Sequence, residues 1–158
     1  MTRATSAALG AALVCATLAL ALPPSAQAAG IDFGVRAGAY LEDSDPFVGL
    51  ELLTRLGQSD WYFNPNVEFV FADQRDRVAL NADFHYDFRQ ERDFYLWAGG
   101  GLGAIRTDGD RVRDAETDLG ANLIGGIGWR LSGTTPYAQL KIVLADDAEV
   151  VAGVGIRF

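Results

Sequence analysis

The single histidine of this chain, His85, stands between two aspartates at alternate positions, Asp83 and Asp87. In an extended strand these three side chains share one face, where they could handle a proton or contribute to a metal site. One imidazole makes a weak metal site, and a hydrolase would also need a nucleophile. The serines after residue 28 all fall in turn-like segments, at Ser44, Ser59 and Ser132. We therefore predict no catalytic, cofactor-binding or metal-ligating residue around His85.

Residues 99–104 read Gly-Gly-Gly-Leu-Gly-Ala and satisfy the G-x-G-x-x-A fingerprint of dinucleotide-binding sites. That fingerprint has meaning only where a strand passes into a helix, whose N-terminus receives the pyrophosphate. Here the glycines lie inside a strand pattern. We interpret them as packing positions that leave room for large neighbouring side chains.

The segment Thr107–Ala115 carries Asp108, Asp110 and Asp114, which alternate as calcium ligands can do. The EF-hand pattern fails because Val112 occupies the fifth position of such a loop. We predict a solvated acidic loop and, across the acidic loops as a group, weak association of divalent cations.

Residues 1–28 have the plan of a cleaved signal peptide. A basic residue precedes the apolar run Ala7–Leu22, and small residues follow at Ala26–Ala28, as at a signal-peptidase site. A membrane-anchoring helix is the alternative, but it would need ~20 apolar residues and no cleavage site. Cys15, the only cysteine, lies in this segment, so residues 29–158 contain no thiol.

Residues 29–158 are strongly acidic. The whole chain has a net charge of −8, and Arg3 is the only charged residue before position 29, so the remainder carries −8 − 1 = −9. Nucleic acid is excluded as a partner, because phosphate binding requires a basic surface. No apolar run reaches ~18 residues in this part. A membrane protein of this composition must therefore be a closed barrel, in which the strands satisfy all backbone polar groups.

Eight segments alternate apolar and polar residues over about ten positions each. Strands of this length, tilted near 45°, match the apolar core of a bilayer, and eight is a common strand number for small membrane barrels. We predict an all-β fold over residues 29–158, an eight-stranded antiparallel up-and-down transmembrane β-barrel. The segments are Ile31–Glu42, Phe47–Leu56, Trp61–Ala72, Arg77–Arg89, Phe94–Arg106, Glu116–Arg130, Pro136–Leu144 and Glu149–Phe158.

Aromatic residues collect at one end of the apolar face when the segments are laid alternately up and down. Such a ring is typical of the aromatic girdle of a membrane barrel. The predicted girdle consists of Phe33, Trp61, Phe63, Tyr86, Phe88, Phe94 and Trp129, with Phe158 beside them. The opposite ring is thinner, and we assign to it Phe47, Phe69 and Phe71.

The other face of the segments carries charges of both signs in equal number. Eight strands enclose a space that side chains fill, and a buried charge requires a partner. We therefore predict a lumen plugged by ion pairs, with His85 among them. Its acidic members are Asp32, Glu42, Glu51, Glu68, Asp83, Asp87 and Asp118. Its basic members are Arg36, Arg55, Arg77, Arg89, Arg130, Lys141 and Arg157.

The segment Glu149–Phe158 alternates most regularly and ends on an aromatic residue. It resembles the C-terminal assembly signal of bacterial outer-membrane β-barrels, and its apolar positions are Val150, Ala152, Val154, Ile156 and Phe158. With the girdle, the chain resembles the small barrels of the OmpA-type transmembrane-domain, OmpX-like and opacity-protein groups. The resemblance implies an outer-membrane location, insertion by the barrel assembly machinery, and contact with outer-membrane lipid and lipopolysaccharide.

The resemblance favours a non-enzymatic protein with a structural or surface role. A narrow porin-like conduit for small ions or solutes and a soluble periplasmic lipid-binding barrel are the alternatives. Outer-membrane lipid A deacylases are similar barrels, but their catalytic histidine is followed two residues later by serine, where this chain has Asp87. One departure from the strand pattern is Pro65, which cannot donate to a ladder, and we predict a bulge there.

Overall fold

The computed structural model describes residues 30–72, 76–90, 93–107, 116–145 and 147–158, without the side chains of residues 89, 90 and 116. The predicted signal peptide, the acidic loop over residues 108–115 and the Arg89 side chain therefore lie outside the described residues. Within the described part, no helix is long and apolar enough to cross a membrane.

The described chain folds into eight strands, which agree with the predicted segments to within two residues at every end. The strands are β1 (Ile31–Tyr40), β2 (Asp45–Arg55), β3 (Trp61–Val70), β4 (Arg77–Gln90), β5 (Phe94–Thr107), β6 (Glu116–Trp129), β7 (Thr135–Leu144) and β8 (Ala148–Arg157). Each pairs antiparallel with the next, and β1 pairs with β8 to close the barrel. Beyond β8, the Phe158 N–H donates to the Phe33 carbonyl at 2.9 Å. The predicted fold class is confirmed.

Successive side chains alternate between the lumen and the outer wall, as the pleat of a strand requires. On the outer wall, Leu102 and Leu119 are 70% and 78% exposed, whereas in the lumen Glu68 and Asp83 are fully buried. We call the end where β1 begins and β8 ends the base of the barrel, and the opposite end its mouth. The positions of apolar and charged side chains are thus the inverse of those in a soluble barrel.

Pro65 lies on the outer wall, as predicted, but the predicted bulge there is wrong. The β2–β3 register is the same on both sides of Pro65, and only the pairs opposite Asn64 and Pro65 are missing. The carbonyl that would accept from residue 65 belongs to Leu52, and the Asn64 side-chain amide donates to it instead at 2.8 Å. A side chain thus replaces the missing backbone donor and keeps the register. A register shift is present instead in β4, between Asp87 and Arg89, where β4 pairs with β5.

Candidate functional site

Five charged side chains form a continuous ion chain across the lumen. Arg157 Nε contacts Glu51 Oε1 at 2.8 Å, and Glu51 Oε2 lies 3.7 Å from Arg36 NH1. Arg36 NH2 lies 3.3 Å from Glu68 Oε1, and Lys141 Nζ lies 2.7 Å from Glu68 Oε2. All five side chains are almost completely buried. These members of the predicted lumen network therefore do come together, from strands β1, β2, β3, β7 and β8.

Two tyrosines complete the coordination of the ion chain. The Tyr40 hydroxyl donates to Glu68 Oε2 at 2.8 Å, so this carboxylate receives hydrogen bonds from both Tyr40 and Lys141. At the other end, Arg157 donates to the Tyr95 hydroxyl at 3.2 Å. Hydrogen bonds to charged groups are stronger than neutral ones, so these contacts fix the positions of the charges.

Asp83 is also fully buried but takes no part in the ion chain. Within the described residues its carboxylate makes no ion pair and accepts instead from two amides, Asn66 at 3.0 Å and Asn122 at 2.9 Å. Asn81 links the two amides by donating to Asn66 and accepting from Asn122, both at 2.9 Å. Asn64 joins this amide ladder to the ion chain, since its Oδ1 accepts from Asn66 at 3.4 Å and its amide donates to Glu51 at 3.2 Å.

The two parts balance in charge. The ion chain contains three cations and two anions and so carries +1, and Asp83 adds the compensating −1. An uncompensated buried charge is costly, and the amide ladder keeps the sixth charge inside the same connected network. The ion chain and the amide ladder are therefore neutral as one connected network, not as separate pairs.

Toward the mouth, apolar side chains rather than ion pairs occupy the lumen. Tyr40, Phe47, Val70, Val143 and Val151 form a buried cluster, which we call the apolar septum. The assignment of Phe47 to the outer ring is therefore wrong. Phe47 has the same parity as Glu51 and points inward, where its ring packs edge-on against Tyr40 at 5.9 Å between centroids.

Toward the base, large rings line the lumen. His85 stacks on Tyr62 at 5.5 Å and lies 5.7 Å from Trp97, which in turn contacts Tyr95 and Tyr137. Glycines of the neighbouring strands make room for these rings. A Cβ at Gly126 would overlap the ring of Trp97, and one at Gly128 or Gly155 would overlap Tyr95 or Tyr137. This packing accounts for the glycines at these three positions on the lumen face.

His85 has no arrangement that suits nucleophilic catalysis. Its Nε2 lies 3.7 Å from Asp87 Oδ1, which is beyond hydrogen-bond distance, and no hydrogen bond to either ring nitrogen is present in the described part. Ser44, Ser59 and Ser132 lie in turns outside the strands. Among the described residues, no group of three or more metal-ligating side chains is positioned to hold a metal ion.

The remaining predicted lumen charges lie at the rims of the barrel. At the base, Arg55 pairs with Asp60 at 2.9 Å and both are about half exposed. Asp32 is exposed there, and Arg130 lies over the Tyr95 ring at 4.7 Å. Among the described residues, Arg55 and Asp32 make no ion pair with a member of the ion chain.

At the mouth, Arg77 bridges Asp45 at 3.0 Å and Glu149 at 3.1 Å. Arg77, Glu149 and Asp118 border a depression of about 660 Å³, whose lining also includes Glu42, Asp43 and Asp147. Arg77 and Asp118 therefore lie above the apolar septum, separated from the ion chain.

The predicted girdle residues all lie on outward positions near the base. Trp61 contacts Tyr86 at 5.5 Å between centroids, and Tyr86 contacts Phe88 at 5.4 Å. Phe63 packs on Phe84 at 4.8 Å, and Phe94 pairs with Trp129 across β5 and β6. Phe33 is tied to the end of β8 by the hydrogen bond from Phe158.

The outward face of β8 carries the apolar residues predicted as the assembly signal. Val150 and Val154 are exposed, at 37% and 61%, and Ala152, Ile156 and Phe158 continue the same face at partial exposure. Arg157 points the opposite way, into the ion chain.

Sequence reasoning missed several polar residues of the lumen and its rims. Asn64 and Asp45 have the parity of their neighbours Asn66 and Phe47 and could have been placed in the lumen by it. The pairing of Arg77 with Asp45 and Glu149 joins residues 32 and 72 positions apart, and no local pattern encodes it.

No family model matches this sequence, and no curated protein matches it. Solved structures are similar in fold. The N-terminal β-barrel domain of Pseudomonas aeruginosa OprF has a TM-score of 0.70 at 15% identity, covering 81% of this chain and 95% of that one. Neisserial surface protein A has a TM-score of 0.60 at 12% identity, covering 80% and 92%. The outer membrane enzyme PagL has a TM-score of 0.52 at 15% identity, covering 80% and 98%.

Structural similarity at such low sequence identity indicates a shared fold only, because function does not follow from fold. The similarity extends over nearly the full length of each matched chain, and the apolar outer wall and polar lumen agree with it. The chain therefore has the fold of the small eight-stranded outer-membrane β-barrels.

Proposed function

We propose that this protein is a non-enzymatic barrel of the bacterial outer membrane, with a structural or surface role and a closed lumen. The connected network from Arg157 to Lys141, with Asp83 on its amide ladder, is the observation that carries this proposal. A barrel built for passage would keep a continuous polar path open. This lumen is filled by large buried side chains instead.

The outer wall supports the location. Its exposed leucines need an apolar surrounding, and the ring of aromatic side chains near the base suits the boundary between lipid and water. On this proposal the base faces the periplasm and the mouth faces the exterior. The outward residues of β8 serve the assembly machinery, and the outer wall contacts outer-membrane lipid and lipopolysaccharide.

Two layers support closure of the lumen. The apolar septum excludes water near the mouth, and the ion chain holds side chains across the middle of the lumen. A hydrated ion crossing this path would have to break paired charges and then enter a dry constriction, both at high cost. The buried side chains of these two layers count against the narrow-conduit alternative.

The test is conductance of the purified protein in planar bilayers. We expect no stable channels from wild type. Shortening Phe47 to alanine opens the septum, and Arg36→Ala breaks the ion chain, so we expect the double variant to conduct. Arg55→Ala is the matched control, because Arg55 lies at the base rim, and it should stay silent. Large steady wild-type channels would overturn the closed-lumen proposal in favour of the conduit.

The enzyme alternative is weaker for this chain than for PagL, which is named as an enzyme. In the lipid A deacylases that this barrel resembles, serine stands two residues after the histidine, and here Asp87 does. His85 is also enclosed by Tyr62 and Trp97 inside the lumen, away from the outer wall where lipids lie. Lipid A hydrolysis by the purified wild type that persists in His85→Ala would show an active site elsewhere.

A further inference from the structure

The outer wall is almost free of charge. Of the outward strand positions whose side chains the structure describes, Arg106 carries the only charge. The outward positions below it in β5, from Phe94 to Ala104, are all apolar or glycine. A charge on a lipid-facing wall is costly near the centre of the bilayer and is tolerated at its boundaries.

The height of Arg106 identifies that boundary. Phe94 and Trp129 form a cross-strand pair at the base, and Arg106 and Thr117 form another on the same two strands near the mouth. Twelve residues separate the members of the two pairs along each strand. At ~3.3 Å per residue and a tilt near 45°, this is roughly 28 Å along the barrel axis, against an apolar band of about 25 Å. Arg106 therefore lies at the headgroup level opposite the aromatic ring.

The charge of Arg106 is also separated from the acidic side chains that the structure describes at the mouth. Within the described part of the chain it makes no ion pair, although acidic side chains such as Asp118 border the mouth nearby. Those side chains lie on the lumen side of the strands, whereas Arg106 and Thr117 are exposed on the outer wall. Leu102 and Leu119 lie below them and are strongly exposed, so the aliphatic part of Arg106 can cover apolar surface while its guanidinium reaches the headgroups.

We propose that Arg106, with the Thr117 hydroxyl beside it, binds the phosphate of a lipid headgroup in the leaflet that surrounds the mouth. A guanidinium offers several donors in a planar fork that matches phosphate oxygens, and a hydroxyl adds a further donor. Because Arg106 carries the only charge among the described outward strand positions, this pair is the point where the barrel distinguishes one headgroup from another. The inference rests on the proposed outer-membrane location.

The test uses the full chain reconstituted in phosphatidylcholine vesicles that contain trace spin-labelled phosphatidic acid or spin-labelled phosphatidylcholine. Electron paramagnetic resonance reports the fraction of each labelled lipid immobilised at the barrel. We expect wild type to prefer phosphatidic acid by about fivefold, the effect of one basic residue at a membrane surface. Arg106→Gln should abolish the preference, Arg106→Lys should keep part of it, and Thr117→Val should reduce it slightly. Arg55→Gln removes the same charge at the base rim and should leave the preference unchanged.

The outcomes separate the two proposals. An equal preference in wild type and Arg106→Gln, or an equal loss in Arg55→Gln, would overturn the phosphate site. If excess inorganic phosphate at constant ionic strength abolishes the preference, the site takes free phosphate rather than a headgroup. Failure of wild type to insert into the vesicles would instead contradict the membrane location itself. Heat-dependent gel migration of every variant establishes that each one has folded into a closed barrel.

Discussion

The outer wall and the lumen are made by alternate residues of the same eight strands, yet they are stabilised in opposite ways. On the wall, side chains such as Leu102 and Leu119 make few contacts within the protein, and their burial is completed by the surroundings. In the lumen, the Glu68 carboxylate accepts a hydrogen bond from Tyr40 and forms ion pairs with Arg36 and Lys141, so its partners all lie within the protein.

The difference teaches where specificity resides in such a small barrel. A wall residue interacts with a solvent, so its identity matters mainly through its polarity and its depth in the bilayer. A lumen residue interacts with particular atoms on other strands, so its identity and position both matter. Substitutions on the two faces should therefore follow different rules.

The largest loss of stability is expected when Glu68, which pairs with two cations, is removed from the ion chain. Glu68→Ala leaves Lys141 and Arg36 without their shared carboxylate, at a cost of about 3–5 kcal/mol in the free energy of unfolding. Urea unfolding in detergent or vesicles measures it. The double variant Glu68→Leu/Lys141→Met removes both charges of the closest pair and should lie nearer to wild type. A loss below ~1 kcal/mol in the single variant would contradict a dry, coupled network.

A charge introduced on the outer wall should destabilise the barrel, and the cost depends on its depth in the bilayer. Leu123 lies six residues from Trp129 in β6, about half the height of the apolar band, and Leu119 lies near its upper boundary on the same strand and face. Leu123→Arg should cost ~2–4 kcal/mol, whereas Leu119→Arg should cost ~0–1 kcal/mol. The same unfolding measurement compares the two. Equal costs would show that the wall does not face lipid.

Two adjacent glycines sharpen the comparison, since they differ only in the face they occupy. A Cβ at Gly126 would overlap the Trp97 ring and approach the Ala138 carbonyl at 2.6 Å, but at Gly125 the nearest atom is 3.7 Å away. Gly126→Ala should destabilise by about 1–3 kcal/mol through overpacking. Gly125→Ala should be neutral, or slightly stabilising through reduced chain entropy. Similar values for both would contradict the close packing of Trp97 against β6.

The smallest effect is expected at Asn64, a lumen side chain that replaces a missing backbone donor between β2 and β3. Asn64→Ala leaves the Leu52 carbonyl without a donor and should cost about 1–2 kcal/mol. Adding Pro65→Val restores a backbone N–H at the position opposite Leu52, so the double variant should recover most of the loss. Amide hydrogen exchange of β2 and β3 would report the repaired ladder. No recovery in the double variant would mean that Asn64 acts mainly through Glu51.

Much of the fold could be predicted from the sequence, because a period of two is visible in a single strand. The run from Val78 to Phe88 assigns both faces of β4 without knowledge of any other strand. Phe47 shows the error that arises when parity is not applied. An aromatic residue near a strand end suggests the outer ring, but the parity that Phe47 shares with Glu51 places it inside.

The partners inside the lumen could not be predicted from the sequence. Lys141 and Glu68 meet across 73 residues, and Arg157 and Glu51 across 106, because barrel closure and strand stagger bring them together. Alternation says that a charge points inward but not which charge it will meet. The hydrogen bond from Asn64 to the Leu52 carbonyl could not be predicted either. A proline shows that a backbone donor is missing, but the sequence does not show which side chain replaces it.

The closure of β1 on β8 has a consequence for how this chain acquires its structure. Seven of the eight ladders join consecutive strands, so their contacts are local, whereas the ladder from Gly34–Arg157 to Tyr40–Val151 joins residues more than a hundred positions apart. Local hairpins close short loops at small entropic cost, but this seam must bring the two ends of the sheet together. Arg157 belongs to both the seam and the ion chain, so its contact with Glu51 forms only when the sheet has curled. Completion of the cylinder and pairing of Arg157 with Glu51 are therefore coupled.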